Sequence, residues 1–240
     1  MIKKKILVFT GAGISAESGI KTYRDHDGLW ENFSVDEVAS IQGWENDPQK
    51  VLDFYNARVK ELKGAKPNDA HKVLAEMEKD YDITIVTQNV DDLHEKAGST
   101  NIIHLHGELT KLRSELTSYR TSYDKDVNLG DLCPDGYQLR PDIVWFGEVL
   151  DLDRLDQTRK VASEADYCIV VGTSMQVAPA SSIPWLTKET TLTYYVDPGD
   201  INFTVPKIRK YFFYHFEDKA TVGVPKVYED LKKIAQKRTI

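Results

Sequence analysis

Cysteine is nearly absent. The 240 residues contain two, Cys133 and Cys168, and neither belongs to a Cys-x-x-Cys pair. That argues against a disulfide framework and against the usual structural zinc site, which takes four Cys or His ligands in closely spaced pairs. Long apolar runs are missing too. No stretch approaches the roughly twenty apolar residues of a membrane span, and the run after Lys3-Lys4-Lys5 meets glycine after about five residues, too short for the core of a signal peptide. An excess of positive charge is also lacking: 31 basic against 38 acidic residues give a net charge of −7. This argues against a nucleic-acid partner and leaves a basic peptide open. A monomeric cytoplasmic protein without nucleic-acid or membrane partners is expected, with one large domain or a core plus a small insertion.

What the chain does contain is organised around Gly11-Ala12-Gly13-Ile14-Ser15-Ala16-Glu17-Ser18-Gly19-Ile20, directly after the apolar run Ile6-Leu7-Val8-Phe9. A buried strand feeding a glycine turn and a helix start presents free N–H groups to anions, so a phosphate-bearing ligand is suggested; a plain tight turn is the bland alternative. Thr22-Tyr23-Arg24-Asp25 continues like a cover over a ligand. The third glycine spacing and the ribose-binding acid of the standard dinucleotide fingerprint are not clearly present.

Further along, 36–63 has helical spacing, with Val51, Phe54, Tyr55, Arg58, Val59 and Leu62 near one stripe. A second helix is expected from Asn68, its cap, through Met77. Ile83-Thr84-Ile85-Val86-Thr87 reads as a central strand ending in Gln88-Asn89-Val90-Asp91, the edge at which open α/β sheets bind ligands. His71 reads as a structural residue and His94 as a surface or packing residue. Ile102-Ile103-His104-Leu105-His106-Gly107 reads as a third strand whose two histidines project to one side and suggest a site. Residues 111–140 read as an irregular insertion with little regular structure. Helix 153–165, strand 166–171 ending in Gly172-Thr173-Ser174, helix 181–187, strands 192–196 and 211–216, and helix 224–237 complete the chain; Cys168 is a small core hydrophobe. The alternation gives an α/β fold, a Rossmann-like doubly wound parallel sheet with a small helical and irregular insertion domain.

Taken in order, Gly11-Ala12-Gly13-Ile14-Ser15, Thr87-Gln88-Asn89-Val90-Asp91, His104-Leu105-His106-Gly107, Val144-Trp145-Phe146-Gly147-Glu148 and Gly172-Thr173-Ser174 resemble the sirtuins, NAD-dependent protein deacylases, over nearly the whole chain. Ala16-Glu17-Ser18-Gly19-Ile20 and Phe54-Tyr55-Asn56-Ala57-Arg58 resemble their class III branch. The resemblance implies one catalytic domain, with a core at about 1–35, 80–110 and 140–240 and insertions at about 36–79 and 111–139. It implies NAD as co-substrate and acylated protein lysines as partners, giving nicotinamide and 2′-O-acyl-ADP-ribose. By family position His106 is the general base, an imidazole titrating near working pH. Ile14, Asn89 and Asp91 line the nicotinamide pocket, and Gln88 takes its ribose. Gly11, Ala12, Gly13, Tyr23, Arg24, Gly172, Thr173 and Ser174 hold the rest of NAD, with Asp197 and Ala220 as weaker candidates. Val144, Phe146, Gly147 and Glu148 pair with the substrate backbone as an added strand.

Tyr55 and Arg58, three apart on a predicted helix, point one way and suit a carboxylate; the class III resemblance implies that they read the terminal acid of succinyl-, malonyl- or glutaryl-lysine, with Ala16 giving the acyl chain room. Without the resemblance, Tyr55 would be read as core and Arg58 as a solvated charge. The family's zinc cysteines are missing: Cys133 stands alone, with Ser114 near where a first ligand would fall, so no zinc is expected. A plain deacetylase, an ADP-ribosyl transferase or NAD-cleaving enzyme, and a non-catalytic NAD-binding module are the competing readings.

Overall fold

A computed structural model describes residues 3–20, 29–30 and 33–237. Six parallel strands form one sheet in the spatial order Phe213–Phe216, Leu192–Val196, Tyr167–Val171, Lys5–Thr10, Asp82–Thr87, Ile102–His104. Val8 sits level with Ile85 on one side and Ile169 on the other. Such near-continuous apolar strands need cover on both faces, and alternate residues supply two separate cores. Ile6, Val8, Ile85 and Ile169 pack with Leu74, Met77, Val224 and Leu231 of the helices Asp69–Met77 and Ala220–Lys237. Leu7, Phe9, Val86 and Val170 pack on the other face with Ala162 of the helix Leu152–Glu164 and with Ile183. Cys168 is fully buried among the latter, and burial pushes its thiol up to about 12. The doubly wound parallel sheet expected from the alternation is therefore present.

A smaller unit combines the helices Val35–Val38, Ile41–Asn46 and Pro48–Gly64 with an antiparallel sheet of Gly107–Ser114, flanked by Arg120–Ser122 and Leu139–Ile143. Its own core joins Leu52, Phe54, Tyr55 and Val59 to Leu109, Leu112, Tyr123 and Trp145. Asn56 ties helix to sheet: its Nδ2 donates to Val127 O at 2.9 Å, and its Oδ1 accepts from the Tyr123 hydroxyl at 2.6 Å.

Several expectations need correction. The helical stretch 36–63 is three helices, because Ser40 Oγ accepts from Gly43 N and Asp47 Oδ1 from Lys50 N, each restarting the helix. The irregular insertion expected at 111–140 contributes strand only at the end of Gly107–Ser114, at Arg120–Ser122 and at the start of Leu139–Ile143, with turns and coil between them. The helix Asp69–Met77, expected within the insertion 36–79, packs under the parallel sheet instead. After Ser15 there is no long helix but one 3-10 turn, Ala16–Ser18, preceded by another, Ala12–Ile14. Asn68 Nδ2 occupies the Ile14 carbonyl at 2.7 Å, so the Ser18 amide bonds Ser15 O at 3.0 Å. The third strand stops at His104, leaving His106 in the turn before Gly107. Residues 181–187 form a 3-10 helix, Ala180–Leu186, and the last strand begins at Phe213 rather than at 211.

Candidate active site

Strand order reverses between Lys5–Thr10 and Tyr167–Val171, and ligands of open α/β sheets bind at the carboxyl ends of such a pair. Here those ends are the two glycine turns, and they touch. Gly13 N donates to Gly172 O at 2.8 Å. A Cβ on Gly13 would lie 2.7 Å from Gly172 Cα; Gly172 has φ +61°, and its Cβ would lie 2.3 Å from Ile14 N. Both positions exclude any side chain, so the glycines serve backbone-to-backbone approach as well as the turn. Thr173 continues the seam: its Oγ1 accepts from Gln88 Nε2 at 3.0 Å and from Met175 N at 3.2 Å.

The next strand end adds a buried polar group. Asp91 is 6% exposed; its Oδ2 accepts from Ser15 Oγ at 2.9 Å and its Oδ1 from Leu93 N at 3.1 Å, while Asn89 Nδ2 donates to Ser15 Oγ at 3.2 Å. Burial raises the Asp91 pKa against these bonds. Ile14 is fully buried beside them. The expected members Ile14, Asn89 and Asp91 thus meet at one corner, and Ser15, read from sequence only as a helix start, joins them. Below them, Thr10 Oγ1 donates to Thr87 Oγ1 at 2.8 Å and lies 3.1 Å from His94 Nε2. His94 and His71 are both fully buried and stacked edge to face, packing residues as expected, and burial lowers both pKa values.

His106 Nδ1 lies 3.0 Å from Gln88 O. A carbonyl only accepts, so Nδ1 carries the hydrogen and Nε2 keeps its lone pair, the form a general base requires. Burial lowers the His106 pKa, which the Gln88 carbonyl only partly offsets. The His106 carbonyl accepts from Val144 N at 2.9 Å, linking this histidine to the candidate peptide segment.

That segment is braced from beneath. Arg140, 4% exposed, donates through Nη2 to both Glu148 carboxylate oxygens at 2.7 and 2.8 Å and lies 3.7 Å over the Trp145 ring; Glu148 Oε2 accepts from Trp145 N. Phe146 uses N to reach Ala39 O and accepts from Ile41 N, so its own backbone is already paired within the chain. Trp145 Nε1 donates to the buried Tyr55 hydroxyl at 3.0 Å. Arg58, one turn on, lines a cavity with Phe33, Lys50, Phe54, Ala57 and Glu61. Its Nη1 pairs with Glu61 Oε2 at 2.9 Å. Tyr55 does not line that cavity. Burial raises the Tyr55 pKa, and the Trp145 bond and the nearby charges of Arg140 and Arg58 oppose it.

Sequence reasoning missed how the Ala16–Ser18 turn is held. Asn68, read only as a helix cap, donates to Ile14 O and to Ser18 Oγ at 3.0 Å, and Glu17 accepts from Thr221 N at 3.1 Å and Thr221 Oγ1 at 2.9 Å. Ala220 is buried in the sheet core beside this contact. Asp197 Oδ1 accepts from Gly199 N at 2.9 Å at the end of the strand Leu192–Val196. Tyr23 and Arg24 lie outside the described residues.

Among the described residues no group of three or more His, Cys, Asp or Glu side chains could hold a metal. Cys133 Sγ instead donates to the buried Ser114 Oγ at 3.5 Å, and Ser114 Oγ accepts from Thr117 N at 3.1 Å.

Comparison with known proteins places these features in context. A model of the Sir2 family matches residues 11–179. An NAD-dependent protein deacylase of Helicobacter pylori is 54% identical over 207 residues, covering 85% of this chain and 89% of the relative. A Sir2 homologue solved with NAD superposes with a TM-score of 0.83 at 36% identity, over 97% of this chain and 91% of that one. Sir2Tm bound to a propionylated peptide gives 0.77 at 28% identity, over 95% and 93%.

Proposed function

The chain belongs to the Sir2 family and is an NAD-dependent protein deacylase acting on lysine, and we propose that the acyl groups it removes include succinyl, malonyl or glutaryl as well as acetyl. The observation that carries the site is His106, held through Nδ1 by Gln88 O with a basic Nε2 beside the polar strand ends. NAD supplies the electrophilic ribose carbon that takes the acyl oxygen as nicotinamide departs. The residues at hand suit the rest of the task. In the touching glycine turns Gly11, Gly13 and Gly172 N already donate to Val171, Gly172 and Val196 O, so phosphate contacts fall to the other amides of these turns. Asn89 and the buried Asp91 can hold a carboxamide, Gln88 can meet ribose, and His106 accepts the proton of a ribose hydroxyl.

The acid-acyl preference rests on Arg58, a cation at a cavity one helical turn from Tyr55. The Arg58–Glu61 ion pair supports a second reading, a plain deacetylase in which Arg58 is already neutralised. A panel of succinyl-, malonyl-, glutaryl- and acetyl-lysine peptides assayed with NAD separates the two. Nicotinamide release as fast without peptide as with it would overturn the deacylase reading. A monomer in the cytoplasm is part of the proposal; among the described residues no helix is long and apolar enough to cross a membrane. Light scattering of the purified protein checks the oligomeric state.

A further inference from the structure

Two histidines two residues apart reach two consecutive carbonyls of the neighbouring strand end. His106 Nδ1 is 3.0 Å from Gln88 O, and His104 Nδ1 is 3.0 Å from Asn89 O. Both nitrogens therefore carry hydrogen. The rings differ at Nε2. That of His106 is left to act as a base, whereas that of His104 lies 2.7 Å from Glu95 Oε1, a carboxylate that also only accepts. His104 has acceptors at both nitrogens and so holds two protons.

We propose that His104 and Glu95 form a charged positioning pair, in which imidazolium His104 braces the Asn89 carbonyl and so fixes the Gln88–Asn89 peptide that aims His106. The inference rests on His106 being the base of the deacylation proposed above.

The surroundings favour this charge. His104 is 6% exposed. From the helix Leu93–Ala97 it faces Glu95, and from the strand Gly107–Ser114 Glu108. Arg154 of the helix Leu152–Glu164 donates to the His104 carbonyl at 2.7 Å, with its Nη2 3.9 Å from Glu108. Asp91 and the neutral, buried His94 also feel the His104 charge, and Lys111 acts on Glu95. Burial works against the imidazolium, but the Glu95 carboxylate and the Asn89 carbonyl outweigh it and raise the His104 pKa above the ordinary 6.5.

The sign of the pH dependence follows. Below 6.5 His104 is charged and the brace is complete. As pH rises through its elevated pKa, Nε2 loses its proton and turns a lone pair on Glu95, so one of the two bonds must break. Activity is therefore bounded on the acid side by protonation of His106, whose pKa is lowered, and on the alkaline side by deprotonation of His104.

Glu95→Gln tests this in the intact protein. The glutamine amide can donate to a neutral His104, so the brace no longer needs the second proton. The side chain of Glu95 is 42% exposed, and the fold is not at risk. Imidazole NMR titration should find His104 titrating above 6.5 in the wild type and below it in Glu95→Gln. The kcat profile with acyl peptide and NAD should lose its alkaline fall in Glu95→Gln, and His104→Ala should lower kcat about tenfold while wild-type His104 is charged, the difference shrinking as pH rises through its elevated pKa. A wild-type His104 titrating at or below 6.5, or superimposable pH profiles, would overturn the proposal. A wild type that fails to deacylate would overturn the functional reading instead, and the NMR titration would still judge the pair.

Discussion

Replacing Arg58 by methionine separates charge from bulk at the residue on which the acyl preference turns. Arg58 is 8% exposed on the helix Pro48–Gly64, and its ion-pair partner Glu61 has a side chain 58% exposed. Glu61 can return to water, so a substrate carboxylate can compete with it for the guanidinium. The replacement contact is a charge-assisted hydrogen bond in a more closed site, worth about 1.5–3 kcal/mol. That corresponds to a tenfold to hundredfold effect on kcat/KM, at about 1.4 kcal/mol per factor of ten. Methionine retains the stem packing that alanine would lose. The assay compares kcat/KM for succinyl- and acetyl-lysine forms of one peptide at saturating NAD, in the wild type and Arg58→Met. The succinyl substrate should fall by the stated factor, while the acetyl substrate changes by less than about threefold, the level of a distant surface change. Glu61→Gln should raise succinyl turnover modestly by removing the competitor. A succinyl-to-acetyl ratio that survives Arg58→Met would refute the reasoning and leave the plain deacetylase.

Other expectations concern the base, the glycine seam and the metal. His106→Ala should lower kcat about 10²- to 10⁴-fold with an unchanged melting temperature. In the wild type, activity should fall as pH drops through a His106 pKa below 6.5, because only the neutral ring accepts a proton. Gly172→Ala places a side chain at φ +61° and 2.3 Å from Ile14 N, a strain of about 1–3 kcal/mol before the clash is counted. Calorimetry should show a melting temperature lower by several degrees and little stabilisation by NAD. Chelator treatment should leave both melting temperature and turnover unchanged, since Ser114 and Cys133 close the small unit by hydrogen bonding; stoichiometric zinc on metal analysis would contradict this.

The parallel sheet was legible because its strands are buried on both faces and read as unbroken apolar runs, as in Ile83 to Val86. Its polar strand ends were legible for the same reason, since Gln88 to Asp91 interrupts such a run. The antiparallel sheet was not. Gly107–Ser114 carries a register shift between Glu108 and Leu112, which breaks the alternation that would mark a half-buried strand, and Arg120–Ser122, held by its backbone pairing and by Arg120 Nε on Asp142 Oδ2, is too short to show a period. The breaks inside 36–63 lay in the caps Ser40 and Asp47, whose polar side chains also suit an exposed helix face. The separation of Tyr55 from the Arg58 cavity was hidden because it depends on Trp145, ninety positions away in the chain.

The clasp between Glu17 and Thr221 joins residues 204 positions apart, so the far end of the polypeptide splints the turn that leads into the co-substrate segment. Protease nicking of the helix Ala220–Lys237, or a bulky fusion crowding its first turn, should first show as a weaker hold on NAD, while the six-stranded sheet still melts where it did before.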